Sequence, residues 1–211
     1  AYRCDIAYCT NKELAFDYPV EFFEERLWTI PRPRPDRKAL ADAAALLKTA
    51  KKPLIIAGGG VRYSGAEEAV AKFAAERGIP VVETIAGKGG LTHYHPVHAG
   101  PIGIVGSTSA NALAEEADVI LAVGTRLQDF TTGPWTAFSR DARFISLNAA
   151  RFDALKHRAL PVVCDALEGV AELDAALGGW KAPAGHLPHA QALFKDWDAL
   201  LAQMKSDPNK G

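Results

Sequence analysis

The stretch "HYHPVH" (93–98) gathers three of the chain's six histidines. On extended backbone His93 and His95 share one face, with His98 three residues on, and zinc binds imidazole at such short spacings. The surrounding segment 85–106 carries no cysteine or carboxylate to complete a shell, and Pro96 biases His95 toward extended backbone. No metal site is expected there. Three other stretches invite a polar ligand. "AGGGVRYSGAEE" puts Gly58, Gly59 and Gly60 after an apolar run and Gly65 near a helix start, where backbone N–H groups can approach a phosphate. It is not a dinucleotide fingerprint, which would want glycine at Tyr63. "GPIGIVGSTSAN" (100–111) repeats the logic, with Gly103 and Gly106 before Ser107 and Thr108. "GTRLQDFTTGPW" (124–135) places Arg126 and Asp129 where they could clasp a ligand or pair with each other. Two glycine-lined helix starts on one sheet edge point to a diphosphate crevice. No GxSxG, HExxH or paired carboxylates supply a nucleophile or an acid–base engine.

These loops need a scaffold, and the apolar pattern provides one. "PLIIA", "IPVVET" (79–84), "DVILAVGT" (118–125), "RFISLN" (143–148) and "PVVC" (161–164) read as strands. Between them lie helical patterns: one from the N-cap Asp36 to Lys52, "SGAEEAVAKFAAERG" (64–78), "STSANALAEEA" (107–117) capped by Ser107, and "DALEGVAELDAALGG" (165–179) capped by Asp165. Strands that are apolar throughout and alternate with helices require a parallel sheet covered on both faces. The expected fold is therefore α/β: a Rossmann-like, doubly wound parallel sheet of five or six strands. Ligands of such sheets bind beyond the carboxyl ends of the strands, where all three glycine-bearing loops fall.

The division expected along the 211 residues is an N-terminal linker or appendage over 1–35, a central domain over 36–180 and a C-terminal linker helix and tail over 181–211. "DYPVEFFEERLW" (17–28) reads as a short helix, and about 188–205 as an amphipathic one. Phe22, Phe23, Trp28 and Trp197 are candidates for apolar surface left uncovered in the isolated chain. The net charge is −1, and the only basic cluster, "RPRPDR" (32–37), is broken by prolines, which argues against nucleic acid as a partner. No apolar run approaches the roughly 18 residues of a membrane span. Cys4, Cys9 and Cys164 are odd in number and form no CxxC pair, which fits reduced thiols and a cytoplasmic setting.

Taken in order, "KKPLIIAGGGVRYSGA", "GIPVVETIAGKGG", His95–Pro96 followed by glycines, "ADVILAVGTRLQDFTTG" and "LPVVCDALEGV" resemble the central domain of thiamine-diphosphate-dependent enzymes of the acetolactate synthase type. "YPVEFFEERLWTIPRP", "TRLQDFTTG" and "DARFISLN" bring it closest to the branch that opens a cyclic diketone by hydrolytic carbon–carbon cleavage in myo-inositol catabolism. The resemblance implies a longer, homo-oligomeric parent with a pyrimidine-binding domain before this one and a pyrophosphate-binding domain after it. Those domains would hold thiamine diphosphate, Mg²⁺ and the catalytic glutamate, so this chain carries no catalytic residue and no metal ligand. It further implies cofactor-binding positions at Gly58, Gly60, Gly103, Gly106, Ser107, Gly124, Arg126, Asp129, Thr132 and Gly133, for the FAD of acetolactate synthases or the ADP of their relatives. The chain departs from that pattern. Val105 replaces a histidine, Ser107 a threonine, Phe130 an arginine, and Ser146 and Asn148 two aspartates that meet the nucleotide. Two rivals to the hydrolase part are an FAD-holding carboligase domain and a stand-alone nucleotide-binding module.

Overall fold

The five apolar runs become strands because none has a polar face to turn to water. In a computed structural model, which describes residues 32–206, they pair in parallel with one further strand. The expected helix over 17–28, with Phe22, Phe23 and Trp28, lies outside the described residues, as do Cys4 and Cys9. The strands are β1 (Pro53–Ala57), β2 (Val81–Glu83), β3 (His98–Pro101), β4 (Val119–Val123), β5 (Arg143–Asn148) and β6 (Leu160–Val163), in the order β3-β2-β1-β4-β5-β6. The order reverses between β1 and β4, the topological switch point of a doubly wound sheet.

The helices are α1 (Arg37–Lys48), α2 (Gly59–Tyr63), α3 (Glu67–Arg77), α4 (Thr108–Glu116), α5 (Asp129–Thr132), α6 (Arg151–Ala154), α7 (Ala166–Leu177) and α8 (His186–Ser206). Alternation along each strand splits the core in two. Ile55, Leu121, Ile145 and Leu147 face one side, under Leu47 of α1, Phe73 of α3 and Leu173 of α7. Leu54, Ile56, Ile120 and Phe144 face the other, under Leu113 of α4 and Ala190 of α8. Asp36 starts α1 by accepting from Lys38 N–H (3.0 Å) and Ala39 N–H (2.9 Å), and Asp165 starts α7 through Leu167 N–H (3.0 Å). No helix among the described residues is long and apolar enough to cross a membrane.

The helix expected over 64–78 forms as one piece but starts later, at Glu67. Gly65 takes a φ of +63°, and the glycine run before it coils into the five-residue α2. Helix α8 is docked on the sheet unit. His186 Nε2 donates to Pro53 O (2.8 Å), Gln191 reaches Pro96 O (2.9 Å), and Trp197 packs beside Phe194 and His93, so it is only partly exposed.

The ends of α3 and α7 are joined by one buried guanidinium. Arg77, 8 % exposed, gives Nε to Asp174 Oδ1 (2.8 Å) and spreads its other nitrogens over the carbonyls of Asp174, Gly178 and Trp180. The carbonyls of Asp174 and Gly178 are at the C-terminus of α7, where acceptors lack helical partners and a cation is favoured, and that of Trp180 lies just beyond it. On the same helix Gly169 lies so close to the sheet that an added Cβ would stand 2.7 Å from Leu147 Cδ1. Cys164, beneath it, is fully buried, and burial pushes its thiol up to about 12.

Candidate functional site

Where β1 and β4 diverge, the loops after β1, β2, β4, β5 and β6 line a crevice of about 780 Å³. Its walls are mainly apolar, including Tyr63, Ile85, Phe130 and Leu147, and its polar members include Thr125, Arg126, Asn148, Asp153 and Asp165. Volume and position suit a small ligand. Of the ten cofactor-binding positions that the resemblance implies, Gly60, Gly124 and Arg126 line it. Gly58, Gly103, Gly106, Ser107, Asp129, Thr132 and Gly133 do not.

The glycines meet one another. Gly58 N–H donates to Val123 O and Gly60 N–H to Gly124 O, both at 2.9 Å. A Cβ on Gly60 would come 2.6 Å from Gly124 Cα, and one on Gly124 would come 2.7 Å from Gly60 Cα. The first and third glycine turns are therefore a backbone-on-backbone contact across the switch point. In the second turn Gly103 (φ +114°) abuts the carbonyl of Phe130, and Ile104 N–H donates to that same oxygen (2.9 Å). Ser107 is buried as the N-cap of α4, accepting from Ala110 N–H (3.1 Å). Gly133 closes α5 in the left-handed region, and Thr132 is fully buried before it.

Arg126 does not pair with Asp129. Its Nε lies 3.5 Å from Asp153 Oδ2, and Lys156 Nζ takes the other oxygen at 2.5 Å. Asp129 is exposed in the first turn of α5. Asn148 spends its amide on Thr125 O (2.9 Å) and Ala150 N–H (2.9 Å), and Asp165 takes Ser64 Oγ–H at 2.8 Å. The polar floor is thus largely paired within the protein.

The three clustered histidines part ways. His93 Nε2 meets Asp198 Oδ1 of α8 (2.8 Å), and His95 Nδ1 accepts from Val97 N–H (3.4 Å). His98, 7 % exposed, donates Nδ1–H to His93 O (3.1 Å), and its Nε2 stands 3.3 Å from Glu83 Oε2, an ion-pair approach without hydrogen-bond alignment. No group of three or more potential metal ligands occurs among the described residues. Together with the commitments of Asp153 and Asp165, this donor set does not fit thiamine diphosphate with its Mg²⁺.

Glu83 belongs to no catalytic or metal-binding motif in the sequence. It ends β2 at 3 % exposure and accepts from Leu91 N–H (2.9 Å) and Gly89 N–H (3.3 Å), so it organises the loop after β2. Burial acts to raise this carboxyl, but His98 and the two N–H groups outweigh it and hold it below the ordinary 4.5. A lowered folded pKa gives stability that is complete above about pH 4.5 and lost as pH falls through the lower folded value. Glu83→Gln is therefore expected to flatten the acid limb of the stability curve. Urea midpoints at pH 7, 5, 4 and 3.5 check this; parallel curves for variant and wild type would contradict it.

Comparison with known proteins follows the same loops. A family model described as "Thiamine pyrophosphate enzyme, central domain" matches residues 40–173, from within α1 into α7. A 3D-(3,5/4)-trihydroxycyclohexane-1,2-dione hydrolase of Geobacillus thermodenitrificans is 42% identical over 172 residues, covering 82% of this chain and 27% of the relative. The hydrolase of the same name from Listeria monocytogenes serotype 4b gives the same figures, 42% over 172 residues, 82% and 27%. A "3D-(3,5/4)-trihydroxycyclohexane-1,2-dione hydrolase 2" of Bacillus cereus is 38% identical over 191 residues, 90% of this chain and 30% of the relative. The chain thus spans between about a quarter and a third of the length of these relatives. With a doubly wound sheet of matching extent and its glycine turns at the switch point, the chain belongs to the thiamine pyrophosphate enzymes, as their central domain.

Proposed function

We propose that this chain is the non-catalytic central domain of a longer thiamine-diphosphate-dependent hydrolase, which cleaves a carbon–carbon bond of a trihydroxycyclohexane-1,2-dione in the breakdown of myo-inositol. The observation that carries this reading is the 42% identity, over 82% of the chain, to enzymes named for that hydrolysis. The central sheet over 36–180 then acts as a scaffold between two flanking domains, with 1–35 and 181–211 as connections to them. Thiamine diphosphate and Mg²⁺ belong to those flanking domains, and the setting is the cytoplasm. The mainly apolar crevice and its internally paired floor agree with a scaffold and lend no support to FAD or ADP.

The test is ring opening of 3D-(3,5/4)-trihydroxycyclohexane-1,2-dione, followed by loss of the diketone, with thiamine diphosphate and Mg²⁺ supplied. The full-length protein is expected to turn it over and the 211-residue chain alone to leave it intact. Release of acetolactate from pyruvate by the full-length protein, without ring opening, would replace this reading with the carboligase one.

A further inference from the structure

Exposed apolar side chains such as Tyr94, Leu200 and Met204 are scattered over the surface, but five others stand at one edge of the sheet. Tyr63 (94 % exposed), Ile85, Val105, Phe130 (62 %) and Phe152 (78 %) stand in the loops after β1, β2, β3, β4 and β5 respectively, all at the carboxyl edge of the sheet. Tyr63, Ile85 and Phe130 share one surface, which the Val105 loop adjoins. Tyr63, Ile85 and Phe130 line the same crevice, Gly59 sits between the Tyr63 ring and Ala86, and the Val105 loop is hydrogen-bonded to the Phe130 carbonyl through Ile104. Exposed apolar patches of this kind mark a surface that is covered in use.

What covers it is constrained by the crevice. A diphosphate needs free N–H donors and a cation, but the Gly58 and Gly60 N–H groups are spent on Val123 and Gly124, and Arg126 shares Asp153 with Lys156. Helix α2, at five residues, is too short to offer a dipole of consequence. An apolar occupant loses nothing to these pairings. The relatives are more than three times the length of this region, so most of such a polypeptide lies outside it and has to pack somewhere.

We propose that the crevice and its apolar rim seat an apolar segment of another domain of the longer polypeptide, in place of a nucleotide. This rests on reading the chain as part of a larger enzyme. The rim then sets how the central sheet meets its neighbours, and Phe130, where the family pattern has an arginine, supplies an anchor for that contact.

Hydrogen–deuterium exchange compares the full-length protein with the 211-residue chain, each at several concentrations and with or without FAD or ADP. Peptides bearing Tyr63, Ile85, Val105 and Phe130 are expected to exchange at least tenfold more slowly in the full-length protein, at every concentration and without nucleotide. An Ile85→Ser, Phe130→Ser double variant of the full-length protein is expected to lose that protection while β1 and β4 stay protected. Equal exchange in the two proteins overturns the proposal. So does protection of the short chain that grows with its concentration, which means a second copy, or protection that needs FAD or ADP. Ring opening by a full-length protein with an unprotected rim would sink this inference and leave the functional reading standing. Protection without ring opening would fault the substrate alone.

Discussion

Replacing Arg77 by methionine lowers the unfolding free energy by about 3 kcal/mol, the lower end of what removing one partner of a buried ion pair costs. The lower end applies because Asp174 keeps about a third of its side chain in water and can rehydrate, whereas the carbonyls of Gly178 and Trp180 lose a buried donor. Methionine preserves most of the volume, so the loss reports hydrogen bonds rather than a cavity. Asp174→Asn, which leaves the carbonyl contacts in place, is expected to cost only about 1 kcal/mol. Urea denaturation of the two variants checks the ratio. Similar losses would mean that the ion pair, and not the capping of α7, carries the contact.

Gly124→Ala is expected to cost about 3 kcal/mol, with or without any ligand present. Two terms add: a left-handed residue at φ +58° gains a Cβ, and that Cβ meets the Gly60 Cα and the Val61 nitrogen at 2.7 and 2.8 Å. Both neighbours are backbone, so neither can swing aside. The outcome distinguishes two meanings of a glycine turn. If thermal unfolding shows the loss in the ligand-free protein, the glycines serve backbone packing at the switch point. An unchanged melting temperature would return them to the role of a ligand cradle.

The sheet was legible because β1, β4 and β5 are apolar runs bounded by turn residues, and because Asp36, Ser107 and Asp165 are N-caps that use their side chains as expected. Strand β3 was not. "HAGP" has no strand signature, and it is a strand only because Val81 and Glu83 of β2 lie beside it, with Gly100 absorbing a φ of +100°. The glycine turns were visible as places of close approach. What they approach was hidden, since Gly60 and Gly124 are far apart in the chain and touch only once the sheet is wound. Glu83 is silent in the sequence for a related reason. A single carboxylate ending an apolar strand gives no pattern, and its partner His98 sits in sequence among other histidines, far from β2.

The two outermost strands, β3 and β6, are each four residues long, and each contains a proline, Pro101 in one and Pro161 in the other. Short edges interrupted by proline are poor templates for a further strand, because the row of donors is brief and broken. The sheet is thereby protected from growing sideways into a neighbouring copy. Crowded copies of the sheet can then lie side by side without polymerising through their edges.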